Sequence, residues 1–277
     1  MKNILSLLAL FALSNTLLMG QTTMNIHQSN GTILQIPLSS IDSITYSISG
    51  GGGTTTGTTL HTCGAPNIHN PDLTYGTMTD QEGNVYKTIV IGTQEWMAEN
   101  LNTSIYSNGD AIPTNLDNAA WQNTTSGAWA YYNNDSSYAC PYGKLYNFYT
   151  CVDARQLCPT GWHVPTDAEW TVLTNYLDGE SVAGGKMKTT GTIEAATGLW
   201  HSPNIVATNS SGFSGAPGGG RYYLGGYLDF GNYGFWWSSS VEAASSVWYR
   251  GLSSSIGVAA SYTGNMQVGF SVRCLRD

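Results

Sequence analysis

Three groups of residues in this chain are of types that could do chemistry. The first comprises the histidines His27, His61, His69, His163 and His201 and the cysteines Cys63, Cys140, Cys151, Cys158 and Cys274. A zinc site built from such residues needs short, repeated spacing, as in His-Glu-x-x-His or Cys-x-x-Cys. Neither pattern occurs and no two histidines share a helical face, so no metal and no cofactor is expected. The second is Gly212-Phe213-Ser214-Gly215-Ala216, which nearly spells the turn that presents a nucleophilic serine in hydrolases but lacks its final glycine. His201 would be its candidate base. The third is Asp167 with Glu169, a possible acid–base pair. Thr166 three residues before Glu169 gives them a structural role instead: the hydroxyl and the carboxylate each satisfy an orphan amide in a capping box, and Asp167 suits the helix dipole.

That box opens the clearest local element in the chain. Trp170, Leu173, Thr174 and Leu177 then line one helical face, and Gly179 can take the left-handed cap. Upstream, residues 84–91 alternate as a strand after a Gly83-Asn84 turn, and Glu95-Trp96-Met97 makes a second short strand. Residues 142–152, with Leu145, Tyr146, Phe148, Tyr149 and Val152, have helix-like spacing. Beyond Gly184 the pattern turns to short strands joined by long loops: Trp236-Trp237, Val247-Trp248-Tyr249 and residues 268–272. The fold class expected is α+β.

The start of the chain reads Met1-Lys2-Asn3, then an apolar stretch from Ile4 to Leu13, then Gly20-Gln21. A basic residue, a short apolar run and small residues describe a secretory leader over residues 1–20. Ser14, Asn15 and Thr16 interrupt the run, so no membrane span is expected. Residues 21–48 read as a small β module around an Asn30-Gly31 hairpin turn. Residues 49–60, nearly all Gly and Thr, form a flexible linker. Residues 61–277 are the main domain.

Composition narrows the function. The net charge is −8 and there are only 10 Lys+Arg, with no basic cluster to neutralise phosphates, so nucleic acid is not an expected partner. Only 10% of residues are charged, against roughly 25% in an average soluble protein. Ser, Thr, Asn and backbone must therefore wet much of the surface. In an oxidising compartment most of the five cysteines should pair. Cys158 with Cys274 is the preferred pair. It would close a loop of about 115 residues and contribute about 4–5 kcal/mol in the chain-entropy model. Cys140 with Cys151 is the second pair, which leaves Cys63 over.

Several segments then look familiar together and in order. They are Thr93-Gln94-Glu95-Trp96-Met97-Ala98-Glu99-Asn100-Leu101, Tyr142-Gly143-Lys144-Leu145-Tyr146-Asn147, and the run from Leu157-Cys158-Pro159-Thr160-Gly161-Trp162-His163 through the capped helix start. Later come Ser211-Gly212-Phe213-Ser214, Pro217-Gly218-Gly219, Trp236-Trp237-Ser238-Ser239-Ser240 and the ending Gly269-Phe270-Ser271-Val272-Arg273-Cys274. Over about residues 75 to 277 the series resembles the Fibrobacter succinogenes major paralogous domain family. That family is similar to the C-type lectin-like fold, in the branch shared with formylglycine-generating enzymes. The resemblance implies a mixed α+β core with long loops on one side.

It also implies a mode of action. Some members of this fold vary their surface between the Trp-Trp-Ser-Ser strand and the final strand, and bind diverse targets there. Here that stretch is residues 241–267, with Glu242, Ser245, Ser246, Tyr249, Ser253, Ser255, Tyr262 and Asn265 as contact candidates, joined by Tyr222 and Tyr223. Ser, Tyr and Asn are adaptable contact residues. The competing reading makes residues 247–252 an ordinary strand, with Trp248 in the core and Tyr249 and Arg250 outside. The enzyme branch needs a reactive cysteine pair, and no motif here matches it. The calcium signatures Glu-Pro-Asn and Trp-Asn-Asp are absent too. The expectation is a secreted or surface-displayed, non-catalytic binding module for an extracellular protein or glycan. The alternatives are an enzyme of the formylglycine-generating or hydrolase type and a structural component of the cell envelope.

Overall fold

The computed structural model describes residues 23–27, 33–37, 65 and 67–277. The chain divides into two units, residues 1–55 and 56–277. In the first, β1 (Thr23–His27) pairs antiparallel with β2 (Ile33–Pro37), in a register running from Thr23↔Pro37 to His27↔Ile33. This is the strand pair expected on either side of Asn30-Gly31. The expected turn itself, the leader at 1–20, the linker at 49–60 and the fate of Cys63 lie outside the described residues.

The second unit begins with β3 (Gly76–Thr79), β4 (Val85–Ile91) and β5 (Gln94–Met97), then α1 (Asn118–Asn123), β6 (Trp129–Ala130), α2 (Ala139–Tyr142), β7 (Leu145–Asn147), α3 (Phe148–Cys151) and β8 (Trp162–His163). Two helices follow, α4 (Asp167–Tyr176) and α5 (Glu180–Met187). The rest is β: β9 (Gly220–Arg221), β10 (Tyr227–Leu228), β11 (Tyr233–Ala243), β12 (Ser246–Ser253), β13 (Ala259–Asn265), β14 (Gly269–Phe270) and β15 (Leu275–Arg276). Strands outweigh helices, an α+β arrangement as expected. Among the described residues the main unit has three sheets, ordered β3-β4-β5-β15-β8, β10-β9-β14-β7-β6 and β11-β12-β13.

The first sheet closes the domain on itself. Leu275 in the last strand pairs with Trp96 on one side and His163 on the other. Beside that junction Cys158 and Cys274 form the expected disulfide, with Cα atoms 6.0 Å apart and a sequence separation of 116. The tail is thus tied covalently to the segment ahead of the capped helix.

The β11–β12–β13 sheet sits between two cores, because its side chains alternate across it. Phe235, Trp237 and Val247 join one cluster with Tyr146, Phe148, Phe270 and Val272. Trp236, Leu252 and Ala259 join the other with Trp96, Trp170, Leu173, Leu177 and Phe213. Helix α4 delivers Trp170 and Leu173 to that second core as its spacing predicts. Its capping box is formed: the Thr166 hydroxyl accepts from the Glu169 amide at 3.3 Å, and Glu169 Oε2 accepts from the Thr166 amide at 2.7 Å. The left-handed cap falls on Asp178 and not on the expected Gly179: Asp178 takes φ 72° directly after the C-cap Leu177, its amide donates to the Asn175 carbonyl at 3.2 Å, and the Gly179 amide donates to the Thr174 carbonyl at 2.8 Å.

Two further local expectations are corrected. Residues 142–152 are not one helix: Gly143 at φ 73° ends α2, β7 runs through residues 145–147, and Asn147 then caps α3 by accepting from the Thr150 amide at 3.1 Å. Both faces of this segment are buried, so apolar spacing alone could not separate strand from helix. The second concerns Arg250, placed outside by the plain-strand reading. It is 2% exposed and paired with Asp167 (3.0 Å) and Glu180 (3.4 Å), because that face of β12 lies under α4 and α5. Trp248 is half-buried rather than a core residue.

Candidate functional site

Four of the ten expected contact residues converge on one cleft of about 320 Å³. Tyr222 and Tyr223 come from the β9–β10 connection, Tyr249 from β12, and Asn265 from the end of β13. Main-chain bonds hold the first pair in place: the Tyr222 amide donates to the Gly226 carbonyl at 2.6 Å and the Gly225 amide to the Tyr222 carbonyl at 2.8 Å. Gly225 sits at φ 93°, the left-handed region that this tight turn requires. The two tyrosine rings lie 4.3 Å apart and Tyr222 remains 40% exposed.

Tyr249 forms the opposite wall. Its ring packs 4.6 Å from Phe270 and 5.8 Å from Phe235, edge-on to the latter. Across the strands it pairs in register with Tyr262, ring to ring at 5.5 Å. Gly264 makes room for it, since a Cβ there would sit 3.1 Å from the Tyr249 ring. The floor belongs to the core, with Phe235 and Phe270 both lining the cleft. Aromatic walls with a few polar groups at the rim are the usual make-up of a small-ligand seat.

Two further lining residues escape a reading of the sequence. Asp229 is half-buried at φ 64°, and its carbonyl holds the Asn232 and Tyr233 amides at 3.1 and 2.9 Å. Burial raises its carboxyl above the ordinary aspartate value. No ion pair or hydrogen bond to that carboxylate occurs among the described residues. Arg221 is fully buried, donating to the Gly225 carbonyl at 3.2 Å and the Leu116 carbonyl at 2.7 Å. Its guanidinium lies 4.1 Å over the Trp121 ring. Neither residue carries a local sequence signal, because Leu-Asp-Phe-Gly reads only as turn chemistry.

The remaining six candidates are scattered. Tyr262 is exposed and stacks on Tyr249, but does not line the cleft. Glu242, Ser245 and Ser246 lie at the tip of the β11–β12 hairpin. Ser253 ends β12 at the other extreme, roughly 20 Å along the strand. Only 3% of Ser253 is exposed, which removes it from the contact set; its hydroxyl is taken by Ser255 at 2.9 Å. Ser255 itself is exposed. Residues 241–267 are thus two ends and two faces of a sheet, not one surface.

The residues that could have supported catalysis are placed otherwise. Cys151 is not bonded to Cys140, which corrects the second expected pairing. It is a free thiol deep in the first core, with its Sγ 3.7 Å from the Asn147 carbonyl, whereas Cys140 is disulfide-bonded elsewhere. Burial pushes the Cys151 thiol well above its usual pKa. It lines a second cavity of about 360 Å³ beside Asp153, Cys158 and His163. His201 pairs with Glu194 at 2.7 Å and is not the partner of Ser214. That partner is His69, whose Nδ1 is 3.4 Å from the Ser214 hydroxyl and whose Nε2 is 3.2 Å from Glu99. The order serine, histidine, glutamate is that of an activated nucleophile. Ser214, however, is fully buried, accepts from the Asn209 amide group at 3.0 Å and donates to the Gly212 carbonyl at 3.1 Å. A substrate carbonyl has no route to it. Among the described residues no three His, Cys, Asp or Glu side chains gather as metal ligands.

Against known families, the sequence matches the one described as the Fibrobacter succinogenes major domain over residues 89–276. No curated protein and no solved structure matches it.

Proposed function

The chain belongs to the Fibrobacter succinogenes major domain family, and from that premise we propose that its main unit is a non-catalytic binding module of an exported protein, with the aromatic cleft as its ligand seat. The observation that carries the reading is convergence. Residues 222–223, 249 and 265 are far apart in sequence, yet the fold sets them around one cavity whose wall also carries the unpartnered Asp229 carboxylate. The cleft volume lies in the range of small-ligand sites, roughly 300–1,000 Å³. A protein or glycan of the cell exterior is the proposed class of ligand. The Cys158–Cys274 bridge supports the exterior address, since such crosslinks persist in oxidising compartments. The expected likeness to the C-type lectin fold is part of this proposal. Support for a non-catalytic role comes from the fully buried serine and from the burial that raises the Cys151 thiol well above its usual pKa.

The test is to immobilise the full chain and challenge it with a glycan array and with defined cell-surface proteins. Binding to at least one is expected, and replacing Tyr222 and Tyr223 together by Ala should abolish it while leaving the melting temperature unchanged. Silence across both panels, or binding indifferent to the double substitution, would overturn the cleft as the seat.

A further inference from the structure

Resting on that reading of the cleft, we infer that its ligand carries an ammonium group on a sugar ring: an amino sugar with its amine free. Asp229 lines the wall, half-buried, with no cation within ion-pairing distance and no hydrogen bond to its carboxylate among the described residues. Other half-buried carboxylates here have partners: Asp167 takes Arg250, Glu169 takes the Thr166 amide and His163, and Glu95 takes Arg276 and Thr88. A carboxylate left out of water without a counter-charge is costly. A cationic ligand would supply that charge.

The rest of the lining suits an ammonium ion. Tyr222, Tyr223, Tyr249, Phe235 and Phe270 surround the same space. Ring faces attract organic cations, and aromatic enclosures with an acid at the rim are how proteins hold ammonium groups. The exposed Tyr222 ring also offers a flat apolar surface for the C–H face of a pyranose, and Asn265 adds an amide at the same rim. The chain's net charge of −8 favours cations over anions in the surrounding field.

Arg221 is the group that could argue for an anion instead. It lines the cleft but is fully buried, commits two nitrogens to main-chain carbonyls and lays its guanidinium 4.1 Å over Trp121, so most of its bonding capacity is met within the fold. Its Nη1 has no hydrogen-bond partner, but no part of the side chain is open to solvent.

Titration calorimetry of the full chain with four β-linked disaccharides separates the cases: glucosamine, N-acetylglucosamine, glucose and glucuronate. The glucosamine disaccharide should bind at least about tenfold tighter than the other three, the scale of one charge-assisted contact. In Asp229→Asn that preference should vanish while the weak binding of the neutral sugars stays. Asn tolerates the left-handed backbone at this position, so the variant keeps its turn. Its melting temperature, measured alongside, should match that of the parent. Equal binding of all four sugars, or a preference for the acetylated or acidic one, overturns the ammonium inference and leaves the binding-module reading standing. A cation that binds without the ring, with choline as the probe and glucosamine silent, overturns the sugar assignment. Silence towards every probe overturns the inference, and only silence across the wider panels of the previous subsection overturns the module.

Discussion

Two of this domain's cavities are nearly equal in size, one of about 320 Å³ between the β9–β10 connection and β12–β13, and one of about 360 Å³ beside the disulfide. By residue type the cavity beside the disulfide is the more chemical, since it is lined by Cys151, Asp153, Cys158 and His163. Yet each of those groups is committed. Asp153 grips Arg155 at 2.8 Å, His163 bridges Glu169 and Asp277, Cys158 is oxidised, and the Cys151 thiol is buried against the core. The aromatic cavity has plainer residues, and although Asn265 accepts from the Gln267 amide at 2.8 Å, it leaves the Asp229 carboxylate without a partner. Capacity to bind lies in groups whose interactions are not already satisfied within the fold. The cavity by the disulfide is thus a joint of the fold, and the aromatic cleft is the one proposed as a seat.

The largest expected effect falls on the joint. Replacing Cys158 and Cys274 together by Ser should lower unfolding free energy by about 4–5 kcal/mol in the chain-entropy model. Urea titration of parent and variant measures it, and a loss below about 1 kcal/mol would show that the β15 contacts alone hold the tail. Within the cleft, the two walls should part company. Tyr249→Ala removes a ring packed on Phe270 and Phe235 and should cost about 2 kcal/mol. Tyr222→Ala, at an exposed ring, should stay within about 0.5 kcal/mol and affect ligand binding only. Equal destabilisation by both would mean the cleft is core rather than seat.

Smaller effects separate the cavities by titration and reactivity. Burial works against a charged His163, but its hydrogen bonds to Asp277 and Glu169 outweigh that and raise its pKa. Stability from a raised histidine is fully present below its unfolded value, roughly 6.5, and is lost as pH rises through the folded value. The parent should therefore lead His163→Asn by most below about pH 6.5 and lose that lead as pH climbs above it, read from melting temperatures across pH. A lead that grows with pH would contradict the ion-pair assignment. Last, Cys151 should resist alkylation in the native state and react once the chain is unfolded, as peptide mapping would show. Ready labelling of native protein would reopen the thiol cavity as a functional site.

Some of this molecule is legible residue by residue. The capping box at Thr166 and Glu169 and the buried face of α4 follow from contacts between neighbours in sequence, although the left-handed residue that ends the helix is Asp178 and not Gly179. Strands β4 and β5 follow from alternation and a turn signal. The Cys158–Cys274 bridge is within reach of the sequence because two cysteines flank recognisable elements in a chain with an export leader's pattern. Residues 142–152 defeat a reading by spacing because a segment buried on every side has no polar face to reveal its period. Ser253 does so because a small polar residue gives no sign of whether its strand end is covered.

What the sequence determined by itself was therefore local: where helices start, which strands alternate, how little positive charge the chain can offer a partner. The tertiary structure alone decided which side chains meet. Tyr222 and Tyr249 are brought to one cavity by sheet register and by the packing of Phe235 and Phe270 beneath them, and Asp229 reaches the same wall through a turn with no distinctive spelling. Bonds between near neighbours are encoded in adjacent residues, whereas convergence over long separations depends on how whole elements pack, and no short run of residues records that.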